Sequence, residues 1–239
     1  MVISDRGNVM SYTELKREAW EANMELNARG LVLFTWGNVS QIDRERGVLA
    51  IKPSGVPYEQ LAAEDMVVVD LDNNRVEGKL NPSSDTRTHT HLYRHFPDIG
   101  GVTHTHSTYA TGWAQAQREI PCYGTTHADY AYGSIPCTAV MTDEQIGRDY
   151  EEETGVQITD AFASRNPRET PMVIVAGHAP FTWGKNAAES VYHAVVLEEI
   201  AKMAYLTQLI GPEQGPLKQS IVDKHYLRKH GKNAYYGQQ

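Results

Sequence analysis

The sequence has 239 residues, 41% hydrophobic and 22% charged, and its 22 Lys and Arg against 30 Asp and Glu leave a net charge of −8. That composition excludes a fibrous or disordered chain, and the acidic balance argues against nucleic acid as a partner, since a phosphate backbone demands a basic surplus. No apolar run approaches the about 18 residues of a membrane span, no secretion signal is visible at the N-terminus, and the two cysteines, Cys122 and Cys137, make no disulfide framework; the expectation is a cytoplasmic protein with reduced thiols, one domain over 1–239, and no membrane partner.

Ser11 with Glu14 forms a capping-box pattern that opens an amphipathic helix over 12–28, ended by Gly30. Strands are predicted at 31–34, at 48–51 and at 66–71, the last before the turn Asp72-Asn-Asn74. A helix begins at Ser84 and stops before Pro97. A strand at 101–106 leads into a helix over 107–116. Residues 136–140 read as a strand, Thr142 as a helix start and 172–176 as a short buried strand. The longest helical pattern runs from Asn186 to about Ile210, ahead of Gly211-Pro212, and a last helix spans 216–230. Strands and helices mix without regular alternation, which predicts an α/β layered domain with a mixed sheet rather than a doubly wound parallel one.

The sharpest chemical feature is His104-Thr-His106. On a strand, residues two apart share a face, and paired imidazoles suit a divalent transition metal. A catalytic zinc takes about three protein ligands and keeps an open position. His178, in Val175-Ala-Gly-His-Ala-Pro180 beyond an apolar run, is the best third candidate. A His-x-His pair also occurs as ordinary surface. His89-Thr-His91 has the same spacing on a predicted helix, where residues two apart diverge by about 200°, so it is read as non-ligating, and His91 with His95 as helix surface. The chain carries no Gly-x-Ser-x-Gly, no phosphate-loop or dinucleotide glycine motif and no Cys-x-x-Cys. Three small-polar loops, Trp36-Gly-Asn-Val-Ser40, Lys52-Pro-Ser-Gly55 and Pro82-Ser-Ser-Asp-Thr86, together offer backbone amides, hydroxyls and one lysine to a small phosphorylated ligand. Asp129, between small and aromatic residues, is a candidate proton carrier or a helix cap. The segment from His225 to Tyr236 is dense in donors and rings.

Taken with Ile51-Lys-Pro-Ser-Gly55, Gly124-Thr-Thr-His-Ala-Asp-Tyr130, Trp183-Gly-Lys-Asn186 and Asp223-Lys-His-Tyr-Leu-Arg-Lys-His-Gly231, these motifs resemble the class II aldolase/epimerase family over nearly the whole chain, and within it the L-ribulose-5-phosphate 4-epimerases. The resemblance implies a three-layer α/β/α fold with a mixed, mainly antiparallel central sheet, and a homotetramer with active sites between subunits. It implies zinc, with manganese or cobalt as substitutes, held by His104, His106 and His178 beside Asp85. The position of Asp85 is a glutamate in the family's aldolases. It assigns Asn38, Lys52, Ser54, Gly55, Ser83 and Ser84 to phosphate binding, Asp129 and Tyr236 to acid/base catalysis, and Thr125, Glu151, His225 and Arg228 to supporting roles. The activity implied is C4 epimerisation of a phosphorylated ketopentose by retro-aldol cleavage and re-addition, in arabinose or another pentose metabolism. A sugar-phosphate aldolase of the same family and a non-catalytic metal-binding module are the alternatives. A loop around 165–170 and about ten N-terminal residues depart from the family pattern.

Overall fold

The computed structural model describes residues 12–237. Helix α1 (Thr13–Ala28) buries Leu15, Ala19, Ala22 and Leu26, one side of a 3.6-residue repeat. Its proposed Ser11 cap lies outside the described residues. Seven strands follow among the helices: β1 (Asn38–Asp43), β2 (Val48–Ile51), β3 (Val67–Asp70), β4 (Arg75–Glu77), β5 (Gly101–His104), β6 (Met172–Ile174) and β7 (Pro180–Gly184). They form one sheet in the order β4-β3-β2-β1-β5-β7-β6, and every strand pair is antiparallel. Among the described residues the one parallel pairing is a single bridge, Cys137 to Ile174.

Alternation along the strands divides the core. Val48, Ala50 and Val68 point to α1, while Leu49, Ile51, Val67 and Val69 point to the opposite cluster. That second cluster is covered by α2 (Thr86–His95), which supplies Leu92 and Tyr93, and by α6 (Tyr150–Ala161), which supplies Ile158. The first face is completed by α7 (Ala187–Ile210), whose Ala187, Val191 and Ala194 meet Ala22 and Leu26 of α1. Further along, its Leu197, Ile200 and Ala201 meet Ala110 and Trp113 of α3 (Thr108–Gln115). The result is a three-layer α/β/α sandwich. Short α4 (Thr125–Ala128) and α5 (Asp143–Arg148) come between α3 and α6 in the chain, and α8 (Gln219–His230) follows α7 and packs its Val222 with Ala128 of α4. Among the described residues no helix is long and apolar enough to cross a membrane.

Several expectations need correction. Residues 31–34 are not a strand: Leu31 and Val32 are both buried, a turn closes from Leu33 O to Trp36 N–H, and Phe34 adopts φ +56°. Residues 136–140 are not a strand either, because Pro136 has no N–H and only Cys137 bridges β6. The 101–106 strand stops at His104, and the 66–71 strand shrinks to Val67–Asp70. His91 is not helix surface. It is buried against α6, with Nδ1 2.8 Å from Glu152, and stacks on the exposed His95 at 4.0 Å.

Arg44, just after β1, closes the far end of α2. Its guanidinium donates to Tyr93 O at 2.7 Å, Phe96 O at 2.9 Å and Ile99 O at 2.8 Å. A cation at a helix C-terminus complements both the open carbonyls and the dipole. Arg44→Ala is expected to cost about 1–2 kcal/mol of stability. Urea unfolding checks this, and a midpoint shift below about 0.3 kcal/mol would show the cap to be idle.

Candidate metal centre and substrate cleft

The interior strand β5 ends at His104, which is paired with Asn38 of β1 on one side and Phe181 of β7 on the other. Both neighbours therefore reach its rim. His104 is 1% exposed and its ring stacks on Phe181 at 4.2 Å. Its Nδ1 lies 3.0 Å from Pro180 O, a contact that places the proton on Nδ1 and leaves Nε2 bare. His106, two residues on, turns its Nε2 to within 3.2 Å of His104 Nε2. His178, in the turn before β7, completes the set: one ring nitrogen from each of the three lies within 4.8 Å of the others.

Burial pushes His106 down to about 4, with neighbouring His104 adding to it, and pushes His178 down to about 4, with His104 and His106 adding to it. One ring nitrogen from each of three imidazoles converges on one point at the rim of the sheet, where a cation can share them. The donor set thus fits a divalent transition metal. Asp85 stands beside them with Oδ2 4.0 Å from His104 Nε2, outside the three-histidine group. Asn38 Nδ2 donates to Asp85 Oδ2 at 2.7 Å and to Ser83 Oγ at 3.1 Å. Burial opposes ionisation of Asp85, but His104, His89 and the Asn38 hydrogen bond outweigh it and hold its carboxyl below the usual range. Asn38 Oδ1 is buried without a partner, an acceptor left for a ligand.

A cleft of about 600 Å³ opens over these groups, walled by Trp36, Gly37, Asn38, Ser54, Gly55, Ser84, Asp85, His104, His106, Tyr150, Glu151 and His178. Its volume suits a small phosphorylated molecule. A hollow of about 610 Å³ between α1 and α7 carries Glu18, Glu21 and Glu25 and no imidazole, so chemistry rather than size singles out the first. Lys52 and Ser83 are not on the cleft wall. Lys52 is 1% exposed, donates to Val56 O at 2.6 Å and lies 4.8 Å over the Tyr58 ring; burial pushes it down to about 8. Gly37 lets the loop pass under the metal candidate. At φ +74°, a Cβ would sit 2.8 Å from His104 O and 2.8 Å from Val32 Cγ1, whereas Gly55, at φ +69°, has nothing within 4 Å. Gly37→Ala is therefore expected to lower stability by about 2 kcal/mol or more, and Gly55→Ala by about 1 kcal/mol, that of the left-handed backbone alone. Equal denaturation midpoints for the two variants would contradict this.

Asp129 and Tyr236 are absent from the cleft wall. They form a second cluster. Asp129 ends α4 and accepts from Arg228 Nη2 at 2.9 and 2.7 Å, from Arg228 Nε at 3.1 Å and from His225 Nδ1 at 3.1 Å. Burial raises its carboxyl, but Arg228 and His225 outweigh that and hold it below the usual carboxylate range. Tyr236 is 62% exposed, with the Arg228 guanidinium 5.1 Å from its ring. Thr125 is exposed at the start of α4. Tyr150 was not foreseen. It opens α6 with its hydroxyl 3.4 Å from His178 Nδ1, and no motif announces it.

His89 lies behind Asp85, fully buried, with Nδ1 2.7 Å from Ser40 Oγ. Burial pushes His89 down to about 3 and His127 of α4 down to about 4. Unfolded imidazoles take up protons near 6.5. Below that pH the unfolded chain binds more protons than the folded one, so these two residues make stability fall as pH drops from about 6.5 to about 4. Urea midpoints of metal-free protein across that window test this. A flat profile would mean both rings charge freely in place.

Residues 17–205 match the family model described as the class II aldolase and adducin N-terminal domain. Among solved structures, an L-fuculose 1-phosphate aldolase is 26% identical, with TM-score 0.79 over 92% of this chain and 97% of its own. YgbL of Klebsiella pneumoniae, named for three alternative activities (aldolase, epimerase or decarboxylase), is 22% identical with TM-score 0.69 over 90% and 99%. An L-fuculose 1-phosphate aldolase of Glaciozyma antarctica PI12 is 14% identical, with TM-score 0.74 over 98% and 88%, and shares the fold.

Proposed function

Because this chain belongs to the class II aldolase and adducin N-terminal domain family, we propose that it inverts C4 of L-ribulose 5-phosphate to give D-xylulose 5-phosphate. The observation that carries this reading is a three-imidazole set in a small polar cleft, with an aspartate rather than a glutamate beside it. His104, His106 and His178 would hold Zn²⁺, with Asp85 adjacent. When bound, the ion supplies Lewis acidity to the negative charge that develops on the cleaved sugar. Asn38, Ser54, Gly55 and Ser84 on the wall, with Ser83 and Lys52 behind them, hold the phosphate.

C4 is not adjacent to the carbonyl, so its C–H is not acidic enough for direct proton removal. The C3–C4 bond is placed for retro-aldol cleavage instead. One proton carrier takes the C4 hydroxyl proton and the C3–C4 electron pair passes to the C2–C3 unit. The phosphate-binding residues keep glycolaldehyde phosphate in the cleft while it turns its other face. The bond re-forms and a second carrier returns the proton. Asp129 and Tyr236 are these carriers, supported by His225, Arg228, Thr125 and Glu151. Since neither carrier lies on its own chain's cleft wall, the reading joins the cleft of one subunit to the acid/base cluster of another in a homotetramer, in the cytoplasm.

The similarity to an L-fuculose 1-phosphate aldolase favours a second reading, an aldolase that releases both fragments. Incubation with L-ribulose 5-phosphate separates the two. Conversion to D-xylulose 5-phosphate with the carbon skeleton intact is expected, and stoichiometric release of glycolaldehyde phosphate would establish the aldolase.

A further inference from the structure

The last turn of α8 converges on the end of α4. His225 and Arg228 bind the Asp129 carboxylate, and the His230 ring nitrogen Nε2 lies 3.0 Å from the Asp129 backbone oxygen. Lys229 reaches the same place by another route. Its Nζ lies 3.5 Å from Asp129 Oδ2, 4.2 Å from the Tyr130 ring centroid and 4.4 Å from the Tyr236 ring centroid, and its side chain is only 13% exposed.

The segment after Gly231 folds back on this turn. The amides of Tyr235 and Tyr236 both donate to Arg228 O, at 3.0 and 3.2 Å. Both bonds share one carbonyl in an exposed segment, so they open readily unless the ring beside them is also held. Arg228 is already committed to Asp129 through three hydrogen bonds, and its guanidinium is the more distant cation from the Tyr236 ring, at 5.1 Å. Lys229 is the cation nearer the Tyr236 ring, and it also reaches Asp129. An ammonium on a ring face is attracted by the ring's quadrupole, and more strongly when partly desolvated.

We propose that Lys229 is a positioning residue that holds the Tyr236 ring against Asp129, so that the two act as one unit. Its mechanistic weight rests on the reading of Asp129 and Tyr236 as the proton carriers. The charge clamps the phenol from one face while Tyr130 backs the ammonium from the other. Asp129 itself stays fixed by Arg228, so the loss of Lys229 falls on Tyr236.

The test is K229M in the full chain, beside K229R. K229M is expected to lower kcat about tenfold, the equivalent of one partly desolvated cation–π contact, with KM and metal content unchanged. Hydrogen exchange at the Tyr235 and Tyr236 amides is expected to quicken. K229R restores both, because a guanidinium also stacks on aromatic faces. An unchanged kcat overturns the proposal, as does unchanged exchange at those amides or a loss that K229R fails to restore. If K229M does not fold, K229Q is read by the same criteria. Should D129N and Y236F turn over L-ribulose 5-phosphate as well as the parent, the epimerase reading fails. The exchange measurement needs no substrate and decides the contact on its own.

Discussion

His106→Ala is expected to purify without stoichiometric metal and to lose turnover by about 10³-fold or more, since the Lewis acid supplies several kcal/mol of transition-state stabilisation. His104→Ala is expected to do the same, at a further cost in stability. His104 is buried, stacked on Phe181 and bonded to Pro180 O, so its removal opens a cavity in the end of β5. His106 keeps more of its surface open than His104 and makes no comparable backbone contact, which makes its variant the cleaner measurement. Metal analysis, circular dichroism and an epimerase assay on the same preparations separate lost metal from lost fold. Full metal and full turnover in both variants would remove the three-histidine site.

Asp129→Asn and Tyr236→Phe are each expected to slow epimerisation by about 10²–10⁴-fold, the usual contribution of a positioned acid or base, with metal content retained. The asparagine keeps a carbonyl oxygen for Arg228 but can no longer take a proton; the phenylalanine keeps the ring that Lys229 and Arg228 face. An unchanged kcat in either variant excludes that residue from the chemistry. A mixing experiment tests the shared site. Inactive His106→Ala and inactive Tyr236→Phe subunits, combined and reassembled, are expected to regain activity, because some clefts then pair intact imidazoles with an intact tyrosine. No recovery on mixing would confine the whole reaction to one chain.

The metal candidate was legible because it is local. His104 and His106 are two residues apart, and His178 follows an apolar run, so one spacing and one strand-end position pointed to three imidazoles near a sheet rim. The strand rule that suggested the pair was only half met: β5 stops at His104, and His106 turns back to it from the loop. Strand β1 was missed because polar Asn38 and Ser40 break the apolar pattern of its buried positions, which otherwise include Val39 and Ile42. Asn38 and Ser40 are buried and answered by distant partners, Ser83 and Asp85 for one, His89 and Tyr93 for the other. Helix α6 was missed because Gly155 interrupts its interior. That glycine is there for α2, since a Cβ would lie 2.6 Å from the His91 ring. The same close packing corrects the view of His91 as surface. Tyr150 had no signal in spacing, since its contact with His178 joins segments 28 residues apart.

The two sides of His104 are occupied by residues 66 and 77 positions away in the chain, Asn38 and Phe181. No fragment of the polypeptide can prefigure such a rim. Pairings of this span are slow, because each closes a long loop before any contact rewards it. Capture of an ion is thereby deferred until the middle of the sheet has zipped on both edges. Ion uptake then rewards only finished molecules, and the stabilisation it confers by mass action cannot rescue a chain arrested halfway.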